Sequence, residues 1–234
     1  MNRIAVVVPA HNEEELLPGC LAALAGAGIV VVADACTDRT AGIAAAAGAE
    51  VVVVNERNVG RARAAGVEHA LRGGADGLWL ATTDADSRVG PGWRDRQLWH
   101  ARAGAGLVVG AVAVDDWACW AAGLPARYES LYRRSDDHVH GANLGFSPAA
   151  YRAAGGFPGV THDEDQIFVR RAIEAGVRVV RDPAALVHTS SRAVSRAPHG
   201  FATHLGVLAA GLTPSPRPAG AAPARATSAG NGRR

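Results

Sequence analysis

Residues 4–14 run Ile4-Ala5-Val6-Val7-Val8-Pro9-Ala10-His11-Asn12-Glu13-Glu14, and this stretch decides the fold class. Ile4–Val8 is apolar at every position. An unbroken apolar run without alternation predicts a strand covered on both faces. Polar residues arrive together directly after it. Asn12 is a ready helix cap, and Glu13–Ala25 carries a helical pattern.

The same unit recurs along the first half of the chain. Ile29–Ala33 predicts a strand, and Thr37–Ala47 a helix closed by Gly48. Val51–Val54, Val59–Leu71 and Leu78–Ala81 predict a strand, a helix and a strand. Strand–helix alternation with short links predicts an α/β fold with a doubly wound, mostly parallel sheet flanked by helices. The second half is less regular. Leu107–Val114, Leu144–Phe146 and Val177–Val180 predict strands. Helices are predicted within Trp117–Arg134, over Asp165–Ala175 and over His199–Ala210. From Thr213 the chain turns to Pro, Ala, Gly, Ser and Arg without hydrophobic period, which predicts one domain over 1–212 and a disordered tail over 213–234.

Charge and cysteine content narrow the function. Arg and Lys total 24 of 234 residues, and every one is arginine. A chain without lysine has no Walker-type phosphate lysine and no Schiff base. The net charge is +2, but the tail from Thr213 holds four arginines and no acid, leaving 2 − 4 = −2 for the body. Nucleic acid is therefore not an expected partner. Cys20, Cys36 and Cys119 form no paired motif, which predicts a reduced, cytoplasmic protein without structural zinc. No signal peptide and no transmembrane segment are expected, because the longest uncharged apolar run, Cys20 to Ala33, is short and broken by glycines.

Ligands of a doubly wound sheet bind beyond the carboxyl ends of its strands. Four polar clusters fall there: residues 9–14, Asp34 to Asp38, Asn58 to Arg63, and Asp84-Ala85-Asp86. In the last of these, alternate residues of an extended segment point the same way. Two carboxylates so placed repel unless a cation stands beside them. Oxygen ligands suit Mg²⁺ or Mn²⁺, which commonly take one or two carboxylates plus substrate phosphates. The alternative is an Asp-rich turn ahead of Gly90-Pro91-Gly92.

Taken in order, residues 7–14, Val31 to Thr40, and Asp84-Ala85-Asp86 resemble the family 2 glycosyltransferases of the GT-A fold, which use nucleotide-diphospho-sugars. Gly141-Ala142-Asn143-Leu144-Gly145-Phe146, Gly155-Gly156-Phe157 and Glu164-Asp165 followed by Arg170-Arg171 are similar to that family's acceptor-side segments. The resemblance runs from Ile4 to about Arg192. It implies a nucleotide-sugar-binding half over 1–104 and an acceptor-side half over 105–212. It also implies Mn²⁺ or Mg²⁺ as cofactor. Pro9, His11 and Glu13 would line the nucleotide pocket, Asp34 would face the base, and Arg61 would lie near base or phosphates. Asp84 would contact ribose or metal, Asp86 the metal, and His188 would add a further metal ligand. Asp165 would be the catalytic base, with Glu164 or Asp163 as the alternatives that a shifted register allows. One departure stands out: the family often ends its second strand with two aspartates, and here Ala33 precedes Asp34.

Sugar transfer to an acceptor hydroxyl needs compensation of charge on the leaving diphosphate and a carboxylate to take the proton. A base opposite the leaving group predicts an inverting reaction. Trp117 and Trp120 are candidates for stacking on sugar or acceptor, or for the core. Arg133 and Arg134 are candidates for an anionic acceptor. A rival enzyme class, the S-adenosylmethionine-dependent methyltransferases, would want a glycine-rich turn after the first strand, but Pro9 to Asn12 has none. A non-catalytic sugar-nucleotide-binding module is the other alternative.

Overall fold

A computed structural model describes residues 3–132, 138–192 and 201–211. The strands are β1 Arg3–Ala10, β2 Gly28–Asp34, β3 Glu50–Val54, β4 Leu78–Thr82, β5 Ser87–Val89, β6 Leu107–Val114, β7 Leu144–Phe146 and β8 Val179–Thr189. The helices are α1 Leu17–Ala23, α2 Thr40–Ala46, α3 Val59–Arg72, α4 Trp93–Arg102, α5 Leu124–Tyr132, α6 Pro148–Ala153, α7 Glu164–Glu174 and α8 Phe201–Ala210. All eight strands form one sheet in the order β3-β2-β1-β4-β7-β6-β8-β5. It is parallel through β3-β2-β1-β4 and again between β6 and β8. It is antiparallel where β7 inserts between β4 and β6 and where β5 closes the edge on β8.

Apolar strand residues feed both faces, as a doubly covered sheet requires. Val6 and Val8 pack with Leu17, Leu21, Trp93 and Leu98 on one side. Val7 packs with Val32, Val67, Phe146 and Phe168 on the other. A smaller cluster of Leu124, Tyr128, Leu205 and Leu208 holds α5 against α8. The helix α3 lies close to the sheet because Gly66 faces Val7 and Val32, where even a Cβ would collide with Val7 Cγ1.

Three differences from the sequence reading have local causes. The first helix starts at Leu17, not Glu13. Asn12 adopts φ 54°, and the next two N–H groups are spent across the cleft. Glu13 N donates to Thr40 Oγ1 at 2.8 Å and Glu14 N to Asp38 Oδ2 at 3.1 Å. The last strand continues to Thr189 past Asp182-Pro183. The register against β6 jumps there from Asp182 to Leu186, so the proline sits in a bulge and needs no ladder bond. The segments β5, α4 and α6 were not foreseen. The tail from Thr213 lies outside the described residues, as do Arg133 and Arg134. Among the described residues, no helix is long and apolar enough to cross a membrane.

Candidate active site

The loops after β1, β2 and β4, the end of β8 and the first turn of α7 meet at one edge of the sheet. Two arginines organise the acids gathered there. Arg63, on the sheet-facing side of α3, is 3% exposed. Its Nη2 donates to Asp84 Oδ1 at 2.7 Å and its Nη1 to Glu164 Oε1. Burial opposes its charge, but Asp84, Glu164 and Asp165 outweigh burial and hold the guanidinium protonated beyond its usual range. Gly141 stands against this guanidinium, where a Cβ would lie 2.5 Å from Arg63 Cζ. A side chain there would evict the arginine.

Arg192 organises the second set. Its Nη1 donates to Glu13 Oε2 at 2.9 Å, and its Nη2 lies 2.7 Å from Glu13 Oε1 and 2.9 Å from Asp86 Oδ2. Burial, then the Asp84 carboxylate, pushes Asp86 up to about 6, against the pull of Arg192. Ser87 Oγ donates to Asp86 Oδ1 at 3.2 Å.

Asp165 is held by two backbone donors. Gly141 N donates to its Oδ2 at 2.7 Å and Gln166 N to its Oδ1 at 2.7 Å. Burial raises its pKa, and Arg63 works against that rise. Burial raises Glu164 likewise. Asp163, by contrast, is exposed at φ 63° as the residue before α7, beside His162 Nδ1 at 2.8 Å.

Glu13, Asp84, Asp86, Glu164 and Asp165 are five carboxylates around two guanidiniums, so the formal sum is 2 − 5 = −3. An oxygen donor set with excess negative charge suits a hard divalent cation. Asp84 and Asp86 are the candidates for that role. Among the described residues, no group of three or more His, Cys, Asp and Glu side chains is arranged to hold a metal ion.

The other expected site residues fall around this centre in different ways. Asp34 turns its carboxylate onto the loop after β3: Oδ1 accepts from Glu56 N at 2.7 Å and Arg57 N at 2.9 Å, and Oδ2 from Asn58 N at 3.0 Å. His11 Nδ1 donates to the Asp34 carbonyl at 2.7 Å. Pro9 lies opposite Val32 in the parallel β1–β2 ladder. Arg61 points outward and pairs with Glu56 at 3.1 Å, away from the buried Arg63. His188, on β8, has its Nδ1 3.3 Å from Asp115 Oδ1, apart from the Asp84–Asp86 pair's contacts. Trp117 packs on Tyr128 at 5.5 Å and Trp120 Nε1 donates to the Ser191 carbonyl, so both tryptophans serve the small α5–α8 cluster.

Sequence reading passed over Arg63 and Arg192. For Arg63 a signal existed, because Gly60, Arg63, Gly66 and Val67 share the helical stripe that faces the sheet. Asn143 was quoted only within a motif. It is fully buried, accepts from Trp93 Nε1 at 2.8 Å, and donates to the Ala111 and Ala185 carbonyls at 2.6 and 2.7 Å. It thereby ties the β6–β8 bulge to the Gly141 turn that holds Asp165.

Comparison with known proteins agrees with this geometry. The family described as glycosyl transferase family 2 matches residues 5–156. Uncharacterized glycosyltransferases of Mycobacterium tuberculosis and Mycobacterium bovis are each 40% identical over 108 residues, 46% of this chain and 47% of theirs. The chain therefore spans about half the length of the curated relatives it matches. A mannosyltransferase of Pyrobaculum calidifontis, solved with GDP-Man and Mn²⁺, superposes with a TM-score of 0.61 at 21% identity, over 84% of this chain and 58% of that one. Glucosyl-3-phosphoglycerate synthase of Mycobacterium tuberculosis, solved with Mn²⁺ and UDP-glucose, gives 0.55 at 17% identity, over 90% and 76%. S. aureus TarS gives 0.60 at 18%, over 81% and 60%. At such identities the likeness is one of fold.

Proposed function

This chain belongs to glycosyl transferase family 2, and from that membership we propose that it moves a sugar from a nucleotide-diphosphate donor to an acceptor hydroxyl, with metal dependence and inversion. The observation that carries this reading is the charge excess at the sheet edge. Four carboxylates pair with two arginines there, with Asp165 a fifth beside them, next to the loops that follow β1, β2 and β4. Such a site invites a divalent cation accompanied by an anion.

Asp84 and Asp86 would hold Mn²⁺ or Mg²⁺. When bound, that ion offsets the charge that grows on the departing diphosphate. The rest falls to the chain itself. The nucleotide would lie along Pro9, His11 and Glu13. Asp34 would act on it through the loop that it anchors, and Arg61 from the rim. His188, whose Nδ1 lies 3.3 Å from Asp115 Oδ1, would offer Nε2 to a metal or phosphate oxygen.

Among the three acids considered for the base, the geometry favours Asp165. Glu164 is committed to Arg63, and Asp163 faces solvent with His162. Each Asp165 oxygen accepts one backbone N–H, which leaves a lone pair on each for an acceptor hydroxyl. In the transfer, the acceptor O–H proton passes to an Asp165 oxygen. The acceptor oxygen bonds to the sugar's anomeric carbon as the bond to diphosphate breaks. One base opposite the leaving group gives inversion.

Calorimetry with UDP and GDP, each with and without Mn²⁺, tests the reading. Metal-dependent binding of one nucleotide supports it. Binding of S-adenosylmethionine alone would replace it with the methyltransferase reading. Nucleotide-sugar binding without turnover on any acceptor would leave a binding module.

A further inference from the structure

Arg192 stands where a metal-binding carboxylate would need to be free. Its guanidinium forks onto both oxygens of Glu13 at 2.9 and 2.7 Å and reaches Asp86 Oδ2 at 2.9 Å. It also lines a cavity of about 270 Å³ whose wall includes Asp86, Arg88, Ser190 and Ser191. The side chain is 26% exposed, so it has a route out of the acid cluster. We propose that Arg192 is an exchangeable internal cation: it occupies Asp86 and Glu13 until a divalent metal arrives together with a diphosphate. It then turns to the diphosphate from the cavity that it already lines.

This proposal rests on the nucleotide-diphosphate reading above and adds a rule of order to it. A divalent ion on Asp86 and a guanidinium 2.9 Å from the same carboxylate repel each other strongly at the low effective dielectric of a half-buried site. Metal alone must therefore displace Arg192 from an ion pair that gains nothing in return. Metal with diphosphate offers the released guanidinium a bidentate anion of matching geometry. The consequence is coupling, in which metal and nucleotide each tighten the binding of the other. Diphosphate oxygens that reach the metal directly couple the two on their own; a purely structural arginine would add nothing to that coupling, and its removal would leave the affinity for Mn²⁺ alone unchanged.

The test is the affinity of free Mn²⁺, followed by its electron paramagnetic resonance signal, alone and with UDP or GDP. In the wild-type protein Mn²⁺ alone should bind weakly, and one nucleotide should tighten it on the order of 5–150-fold. Arg192→Gln should bind Mn²⁺ alone more tightly than the wild type, and its coupling should be weaker than the wild type's. Equal Mn²⁺ affinity in the two proteins, with coupling intact, overturns the proposal and leaves the nucleotide-sugar reading standing. Failure of either nucleotide to tighten Mn²⁺ in both proteins overturns that reading as well. Should Arg192→Gln lose its circular dichroism melt, Arg192→Lys carries the test. A lysine lacks the fork, so Mn²⁺ alone should again bind more tightly than to the wild type. Equal affinity there overturns the proposal.

Discussion

Arg63 Nη2 meets Asp84 Oδ1 at 2.7 Å, across 21 residues of sequence, and the same guanidinium donates to Glu164. One buried cation thus joins the loop after β4, which carries Asp84 and Asp86, to the first turn of α7, which carries Glu164 and Asp165. Removing it leaves Glu164, itself 6% exposed, as an uncompensated acid. Loss of one partner from a buried pair costs about 3–5 kcal/mol. Arg63→Met should lower the unfolding free energy by that much, read as a lower urea midpoint at unchanged slope. Arg63→Met combined with Glu164→Gln should recover part of the loss, and a wild-type midpoint in the single variant would refute the role.

Asp86 makes a prediction about pH. Burial and the neighbouring Asp84 push its pKa from an ordinary 3.8 up to about 6. The folded state therefore holds this proton more tightly than the unfolded state does between those values, and stability from this group falls as pH rises through that window. Asp86→Asn removes the term. Its melting temperature should exceed the wild-type value at pH 8, and the gain should vanish by pH 4. Mn²⁺-dependent nucleotide binding should be lost in the variant, and in the wild type should weaken as pH falls below about 6. A variant that melts lower at pH 8 would contradict the assignment of strain to Asp86.

Asp182 works in the opposite direction. Arg96 donates to its Oδ2 and Oδ1 at 2.9 and 2.8 Å, and His100 Nε2 lies 2.7 Å away. Burial is outweighed by these bonds, and its pKa is drawn down from 3.8 to about 2. A depressed folded pKa gives stability that is present above the unfolded value and lost as pH falls toward the folded one. Asp182→Asn should cost about 2 kcal/mol at pH 7. The difference from wild type should shrink between about pH 4 and pH 2, as followed by urea unfolding. A difference independent of pH would assign the loss to packing of the β8 bulge instead.

The strands of the first half were legible because each is a short, unbroken apolar run; β1, β2 and β4 bury theirs within the sheet while edge strand β3 leaves Val53 exposed, and β6 and β7 were found at their observed limits, Leu107–Val114 and Leu144–Phe146. The helix α4 was not legible. Its buried face includes Gln97 and His100 beside Trp93, Leu98 and Ala101, so no clean apolar stripe marks it. Gln97 is buried because it accepts from Trp79 Nε1 at 3.1 Å, a pairing that only the fold creates. The acids of the site could be read from their places after strands. The arginines that neutralise them could not be read in the same way. Arg192 lies 179 residues from Glu13, just past the end of β8, and the pairing of β8 with β6 and β5 brings it to that edge.

In the proposed reaction Asp165 takes the acceptor proton at a nucleotide-sugar site. Its most direct test is Mn²⁺-supported transfer or hydrolysis across a panel of UDP- and GDP-sugars, measured for the wild type and for Asn or Gln at positions 163, 164 and 165. General-base catalysis contributes about 10²–10⁴-fold, so Asp165→Asn should lose that much turnover while its donor affinity stays near the wild-type value. Asp163→Asn should stay active. Near-normal turnover by Asp165→Asn, with the loss falling on a neighbour or on none of the three, would contradict the account.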